Sequence, residues 1–198
     1  YLKKTNNMSN FKDSPKFSTH DDYYTPKSAW QQIQHLIQKK FGNSPTIYEC
    51  FLLNSNGQSK KYLKELGYKV LGDTTHDFLR KDQRPDKKFY DLILSNPPFA
   101  RIRSYKQRKS NLKYKCIKAL VDNNKPFIIL MNSTNIFQKW FKEIIEPVSK
   151  YVKFIFPSKK IQYDKYEEGG IIPIKAGKGC SFNSIYVCFK VLKHNEWI

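Results

Sequence analysis

The sequence predicts an α/β domain built on a mostly parallel sheet with helices on both faces. Short apolar runs such as Leu92-Ile93-Leu94 and Pro126 to Met131 (PFIILM) lack amphipathic spacing, as strands buried on both faces of a parallel sheet do. Strand-like runs alternate with helical patterns along the chain. From Thr46 to Leu66 the order is strand, loop of small residues, helix. That is the first unit of a nucleotide-binding sheet, where backbone must approach a ligand closely. A length of 198 residues suffices for one such domain.

Charge narrows the partners. Lys and Arg total 36 against 17 Asp and Glu, a net charge of +19. Such an excess raises the local concentration of polyanions and points to nucleic acid, DNA or RNA. An AT-rich coding sequence would also inflate Lys, Asn, Ile and Tyr. Cys50, Cys116, Cys180 and Cys188 are scattered without a CxxC pair, so neither zinc ligation nor a disulfide framework is expected, and an intracellular, reducing compartment is. His20, His35, His76 and His194 show no metal-binding spacing. No apolar run approaches membrane-spanning length and no signal peptide is visible, so no membrane partner is expected. The chain opens at Tyr1 rather than Met, which leaves place for a preceding segment.

Residues 1–20 are polar and aperiodic and are expected to form a flexible basic arm ahead of a single domain over residues 21–198. A helix should follow Asp21-Asp22-Tyr23-Tyr24. Thr25 suits its N-cap and Pro26 its first position, while Trp30, Ile33, Ile37 and Phe41 recur on one face until Gly42. Thr46 to Leu53 reads as a strand, Asn54 to Ser59 as a loop containing Gly57, and Ser59 to Leu66 as a short helix stopped by Gly67. Tyr68 to Leu71 is a second strand ending at Gly72-Asp73. A carboxylate at that tip is where a nucleotide-type ligand's ribose hydroxyls are accepted, and Asp73 is equally well a solvated turn residue.

The stretch Phe89 to Arg101 (FYDLILSNPPFAR) organises the rest. Its apolar strand is stopped by two prolines. Asn96 is held extended by the proline after it, and Pro97 and Pro98 fix their own φ and remove two N–H donors. What remains is a stiff loop offering one carboxamide, bare carbonyls and the ring of Phe99. These groups suit the grip of a flat amine. The Asn96 side-chain oxygen and the Pro97 carbonyl can each accept one amine hydrogen, which favours the pyramidal geometry that frees the lone pair. Phe99 can stack on the base, worth roughly 1–3 kcal/mol in single-strand binders. Asn-Pro is also a common turn after a strand.

Ser95-Asn96-Pro97-Pro98-Phe99 resembles the catalytic motif of S-adenosylmethionine-dependent amino-methyltransferases, above all the N6-adenine class. The resemblance extends over about Asp21 to Leu192 and to viral-type DNA adenine methyltransferases. Tyr24-Thr25-Pro26 looks like the family's N-terminal motif, whose aromatic and Thr-Pro turn contact the methionine end of the cofactor. Glu49 and Phe51 fit its acidic-x-Phe pattern, although Gly57 alone remains of a loop that is glycine-rich in the family. Asp77-Phe78 resembles the Asp-Phe that accepts the cofactor adenine's amine and packs on its ring; Phe78 is otherwise a core residue. The resemblance implies S-adenosylmethionine as cofactor, bound by Tyr24, Thr25, Pro26, Glu49, Phe51, Gly57, Asp73, Asp77, Phe78 and Asn96. It also implies a Rossmann-like methyltransferase fold whose seven-stranded sheet has an antiparallel final strand.

Next to the motif, Arg101, Arg103, Lys106 and Arg108 surround Tyr105, a pattern that suits gripping the phosphates flanking an extruded base, or a mobile charged loop. Asn111 to Asn123 and a stripe of Phe137, Trp140, Phe141, Ile144 and Ile145 ending near Pro147 are expected as helices packed on the core. Tyr151 to Phe156 and Ser184 to Leu192 are the expected last strands. Between them, residues 157–183 form a long basic loop with Lys159 and Lys160, either functional or disordered. These residues leave no large recognition domain over, so specificity is expected from short loops, the basic arm, a partner subunit or a second copy. The expected activity is methyl transfer to an adenine amine in nucleic acid, DNA favoured. The rivals are transfer to RNA adenine or guanine amines, transfer to a protein glutamine amide, and a non-catalytic nucleic-acid-binding subunit.

Overall fold

A computed structural model of the chain describes residues 23–52, 57–98, 112–167, 170–173 and 182–198. Its strands are β1 (Tyr23–Tyr24), β2 (Thr46–Tyr48), β3 (Lys69–Leu71), β4 (Leu92–Ser95), β5 (Phe127–Asn132), β6 (Val152–Phe156), β7 (Asp164–Glu167), β8 (Gly170–Pro173), β9 (Ser184–Phe189) and β10 (Glu196–Trp197). The helices are α1 (Lys27–Gln31), α2 (Gln34–Phe41), α3 (Gln58–Glu65), α4 (Leu112–Asn123) and α5 (Lys139–Ile145). Seven strands form one sheet in the order β10-β6-β9-β5-β4-β2-β3. Within it β9 alone runs against the other six, through antiparallel ladders to β5 and β6. The Rossmann-like α/β architecture is the expected one, with the reversed strand in place. A two-residue strand, β10, follows it and pairs parallel to β6.

Burial explains why these runs became strands. Leu92 and Leu94, Ile128 and Leu130, and Tyr186 and Cys188 join one core with Trp30, Ile37 and Leu63 of the first three helices and with Ile33, the N-cap of α2. Their alternate neighbours Ile93, Phe127, Ile129, Met131, Val187 and Phe189 join a second core with Ile117 and Leu120 of α4 and Phe141, Ile144 and Ile145 of α5. Side chains two apart share a face of a strand, so a sheet covered on both sides needs apolar residues at every position. The two cores are the two sides of one sheet.

Three expectations are corrected. The helix expected to run unbroken to Phe41 is two pieces, α1 and α2, and its N-cap is Pro26 in extended conformation rather than Thr25. The Thr25 hydroxyl instead accepts from the Asn96 carboxamide nitrogen. Phe137, expected in the core, is 82 % exposed. Residues 133–137 form a 3-10 turn and Gln138 is extended (φ −83°, ψ 140°), which breaks the helical phase between Phe137 and the buried stripe of α5. Within residues 157–183, β7 and β8 form a hairpin, and β7 also pairs antiparallel with β1. That small sheet places Tyr24 opposite Asp164, so part of the expected basic loop is structured and braces the turn before α1.

Candidate active site

Strands β2 to β6 point the same way, so the residues that follow them collect on one edge of the sheet. From β2 the chain steps outward to β3 and then returns to β4 on the other side of β2. The gap this reversal opens between β2 and β4 is where α/β sheets bind ligands. Glu49 follows β2, Asp73 lies just past β3, and Asn96 follows β4. Three residues separated in sequence therefore share one crevice edge.

At its centre, the Asn96 carboxamide nitrogen donates to the Thr25 hydroxyl at 3.0 Å, across a separation of 71 residues. Thr25 is buried, Asn96 half-buried, Pro97 buried and Pro98 exposed. This bond fixes the amide so that its nitrogen faces Thr25, leaving Oδ1 without a hydrogen-bond partner among the described residues. The Thr25 turn is itself anchored. Trp30 is fully buried, the Tyr186 hydroxyl donates to the Ala29 carbonyl at 2.6 Å, and Gln32 donates to Tyr186. Lys27 pairs with Glu65 of α3 at 3.0 Å, joining the first helix to the third.

Glu49 is wholly buried and both its oxygens are engaged. Oε2 accepts from the Ser59 hydroxyl at 2.6 Å; Oε1 accepts from the Ser95 hydroxyl and from the Phe51 N–H at 3.3 Å. One carboxyl thus ties the end of β2 to the first turn of α3 and to the end of β4, beside Asn96. Burial raises its pKa to about 7 against the lowering effect of the three hydrogen bonds, the Ser59 bond foremost. A carboxyl whose folded pKa exceeds its unfolded value contributes stability that is complete below the unfolded pKa and is lost as pH rises to the folded one. From 4.5 to about 7, the fold should therefore lose about 3 kcal/mol through this group. Urea midpoints measured across that window should fall with pH in the wild type and flatten in Glu49→Gln. Equal slopes in both would mean the carboxyl is not held neutral.

Asp73 is exposed and ionised. Its Oδ1 accepts the N–H of Thr75 at 2.8 Å and the Thr75 hydroxyl at 2.6 Å, and these bonds lower its pKa, the hydroxyl first. Lys60 of α3 donates to the neighbouring Gly72 carbonyl at 2.6 Å. Asp77 is half-buried and its Oδ1 accepts the Leu79 N–H at 2.9 Å, while its own N–H donates to Gln83 at 2.6 Å. Phe78 is 2 % exposed, edge-on to Phe51 at 5.4 Å and to Tyr48 at 6.0 Å, with the Arg84 guanidinium 4.4 Å over its ring. Phe78 is thus placed as a core side chain, and the half-buried Phe51, two residues past Glu49, packs against the same core. Gly57 takes a left-handed conformation (φ 71°, ψ 13°) at the start of α3, which lets the loop turn into the helix.

Phe99, Arg101, Arg103, Lys106 and Arg108 lie outside the described residues. Lys159 and Lys160 are exposed just beyond the end of β6, on the same edge as Asn96. Nothing in the sequence marks Ser59 and Ser95 as partners of the Glu49 carboxyl, or Gly72 as the residue its carbonyl approaches; a lone Ser or Gly at a strand end signals little until its partner is known. Among the described residues no group of three or more His, Cys, Asp or Glu side chains can hold a metal ion, and no helix is long and apolar enough to cross a membrane. Cys50, Cys116 and Cys188 are buried free thiols, each with its pKa raised by burial.

No family model and no curated protein sequence matches the chain. Among solved structures, it is similar to a protein from Listeria monocytogenes described as a candidate class I S-adenosylmethionine-dependent methyltransferase. The TM-score is 0.52 at 11 % identity, over 90 % of this chain and 66 % of that one, so this chain spans just under two thirds of that protein. It is also similar, with a TM-score of 0.43 and 9 % identity, to a candidate modification subunit of a type I restriction enzyme from Vibrio vulnificus YJ016, over 87 % of this chain and 45 % of that one. At such identities the likeness concerns the fold. Nothing in these comparisons bears on the viral-type resemblance.

Proposed function

We propose that the chain is an S-adenosylmethionine-dependent methyltransferase acting on the exocyclic amine of adenine in nucleic acid, DNA favoured. One observation carries the proposal. The Asn96-Pro97-Pro98 corner stands at the crevice where the strand order reverses, with its carboxamide fastened to Thr25 so that Oδ1 is presented as an acceptor. The fold shared with the Listeria protein is compatible with it. A net charge of +19 favours a polyanionic substrate over a protein amide.

The residues present fit the cofactor. Asp73 offers an ionised, exposed carboxylate at the β3 tip for ribose hydroxyls, Asp77 a half-buried one, and the Tyr24-Thr25-Pro26 turn closes the crevice beside Asn96. Glu49 fits as a brace for this site, since its oxygens are already taken by Ser59, Ser95 and Phe51. S-Adenosylmethionine, when bound, supplies an electrophilic methyl on a sulfonium. The chain's own residues orient the acceptor. Asn96 Oδ1 and the Pro97 carbonyl each take one hydrogen of the amine, so its nitrogen becomes tetrahedral with the lone pair free, and the proton it sheds passes to water. No strong base is needed.

The reading is tested by titrating S-adenosylmethionine calorimetrically, then following tritiated methyl into single- and double-stranded DNA and RNA with nucleoside mass spectrometry of the product. N6-methyladenine is the expected product. The glycine-poor loop between β2 and α3 favours a second reading, a non-catalytic nucleic-acid-binding subunit. No heat at high cofactor concentration, with nucleic acid still bound, would select it.

A further inference from the structure

Two large aromatic side chains stand exposed on the same sheet edge as Asn96, on the half away from the proposed cofactor crevice. Phe137 is 82 % exposed and Trp197 is 77 % exposed. Neither sits on loose chain. The turn carrying Phe137 directly follows β5 and is pinned by Asn132, whose side-chain oxygen accepts the Thr134 N–H at 2.9 Å and the Thr134 hydroxyl at 2.8 Å. Asn135 donates to the Asn132 carbonyl at 3.0 Å, and the Ser133 N–H donates to Asn183 at 2.8 Å. Trp197 ends β10 opposite Phe156, the last residue of β6, and its ring stacks on Phe156 with centroids 4.6 Å apart and planes 23° apart. Phe156 backs the Trp197 ring while most of that ring stays in solvent.

From β5 through β9 and β6 to β10 is three strand steps, about 14 Å at the usual spacing. Lys139, two residues past Phe137, and Lys159 and Lys160, past β6, are exposed along this span, Lys139 in a long surface pair with Glu143 at 3.9 Å. Rings with an open face and cations at the spacing of a few nucleotides match how proteins track unpaired strands, where bases stack on aromatics and lysines meet phosphates. A duplex keeps its base faces stacked and has none to offer.

We propose that Phe137 and Trp197, with Lys139, Lys159 and Lys160, form a stacking track for the unpaired nucleic-acid segment that flanks the base presented to Asn96. The track rests on the nucleic-acid reading above but needs no methyl donor, so it is tested without one. Labelled single-stranded DNA and RNA oligonucleotides are titrated by fluorescence anisotropy, with Trp emission read in parallel. Phe137→Ala and Trp197→Ala should each weaken binding roughly fivefold to a hundredfold. Trp197→Phe should retain most of the affinity. Binding should quench emission in the wild type and lose most of that quench in Trp197→Ala. Lys159→Ala with Lys160→Ala should make the salt slope shallower by about two. Thermal midpoints serve as the folding control, and Phe137→Ala stands alone if the Trp197 variant does not fold.

Unchanged affinity in Phe137→Ala, or a wild type that prefers duplex with its Trp emission unaltered, overturns the track. So does a loss of self-association in place of a loss of oligonucleotide binding. Variants that weaken binding in a chain that takes up no S-adenosylmethionine would keep the track and defeat the methyltransferase reading. Normal methylation with unchanged KM in Phe137→Ala would do the reverse.

Discussion

Gly72→Ala should cost about 3 kcal/mol or more of folding stability, because the new Cβ would stand 2.2 Å from the Glu49 carbonyl oxygen. Two other atoms are close, the Leu52 Cδ1 at 3.0 Å and the Glu49 carbonyl carbon at 3.3 Å. The leucine methyl can rotate away. The carbonyl cannot, since the strands are laddered there and the Glu49 N–H donates to the Leu71 carbonyl at 3.0 Å. The backbone adds its own strain, because Gly72 has φ +130°, a conformation side-chain-bearing residues rarely adopt. Separating β2 from β3 would also move Glu49 and Asp73 apart, so affinity for S-adenosylmethionine should fall with stability. Urea unfolding at fixed pH measures the first and calorimetry the second. A midpoint within about 0.5 kcal/mol of wild type, the range of an ordinary surface change, would show that the strand ends separate at little cost.

Why Gly72 escaped notice in the sequence, when Asn96 did not, is a matter of how signals are written. The β4 strand and its diproline stop are legible because continuous apolar residues and proline constrain the backbone wherever they occur. The β2-loop-α3 unit is legible for the same local reason. Gly72 matters only because Glu49, 23 positions earlier, passes it, and nothing adjacent to it announces that approach. Glu49 was legible as an acidic residue at a strand end, but not as a brace, since its partners Ser59 and Ser95 gain their meaning from the fold. Phe137 misled because its spacing to Trp140 and Phe141 continues a helical stripe that the extended Gln138 interrupts. The pairing of β1 with β7 was hidden for a further reason: two-residue strands carry too few positions to show alternation.

Asn96→Ala should lower the rate of methyl transfer by roughly thirtyfold to a thousandfold, the equivalent of about 2–4 kcal/mol in the transition state. The substitution removes the Oδ1 acceptor and leaves the Pro97 carbonyl to hold the amine alone. It also removes the donor to Thr25, so the hydroxyl in the turn ahead of α1 loses this hydrogen bond. The two losses can be told apart. Thr25→Val deletes the anchor while keeping Oδ1, so the carboxamide remains but is free to rotate, and a smaller loss, of kcat more than of KM, is expected. Asn96→Asp keeps acceptor oxygens but cannot donate to Thr25 unless protonated, and places a negative charge beside the crevice. Single-turnover rates with saturating S-adenosylmethionine, together with calorimetric cofactor affinity for each variant, separate orientation of the amine from binding. If Asn96→Ala transferred methyl at the wild-type rate while binding cofactor normally, the amine would have to be held by some other pair of acceptors, and the diproline corner would be only a turn.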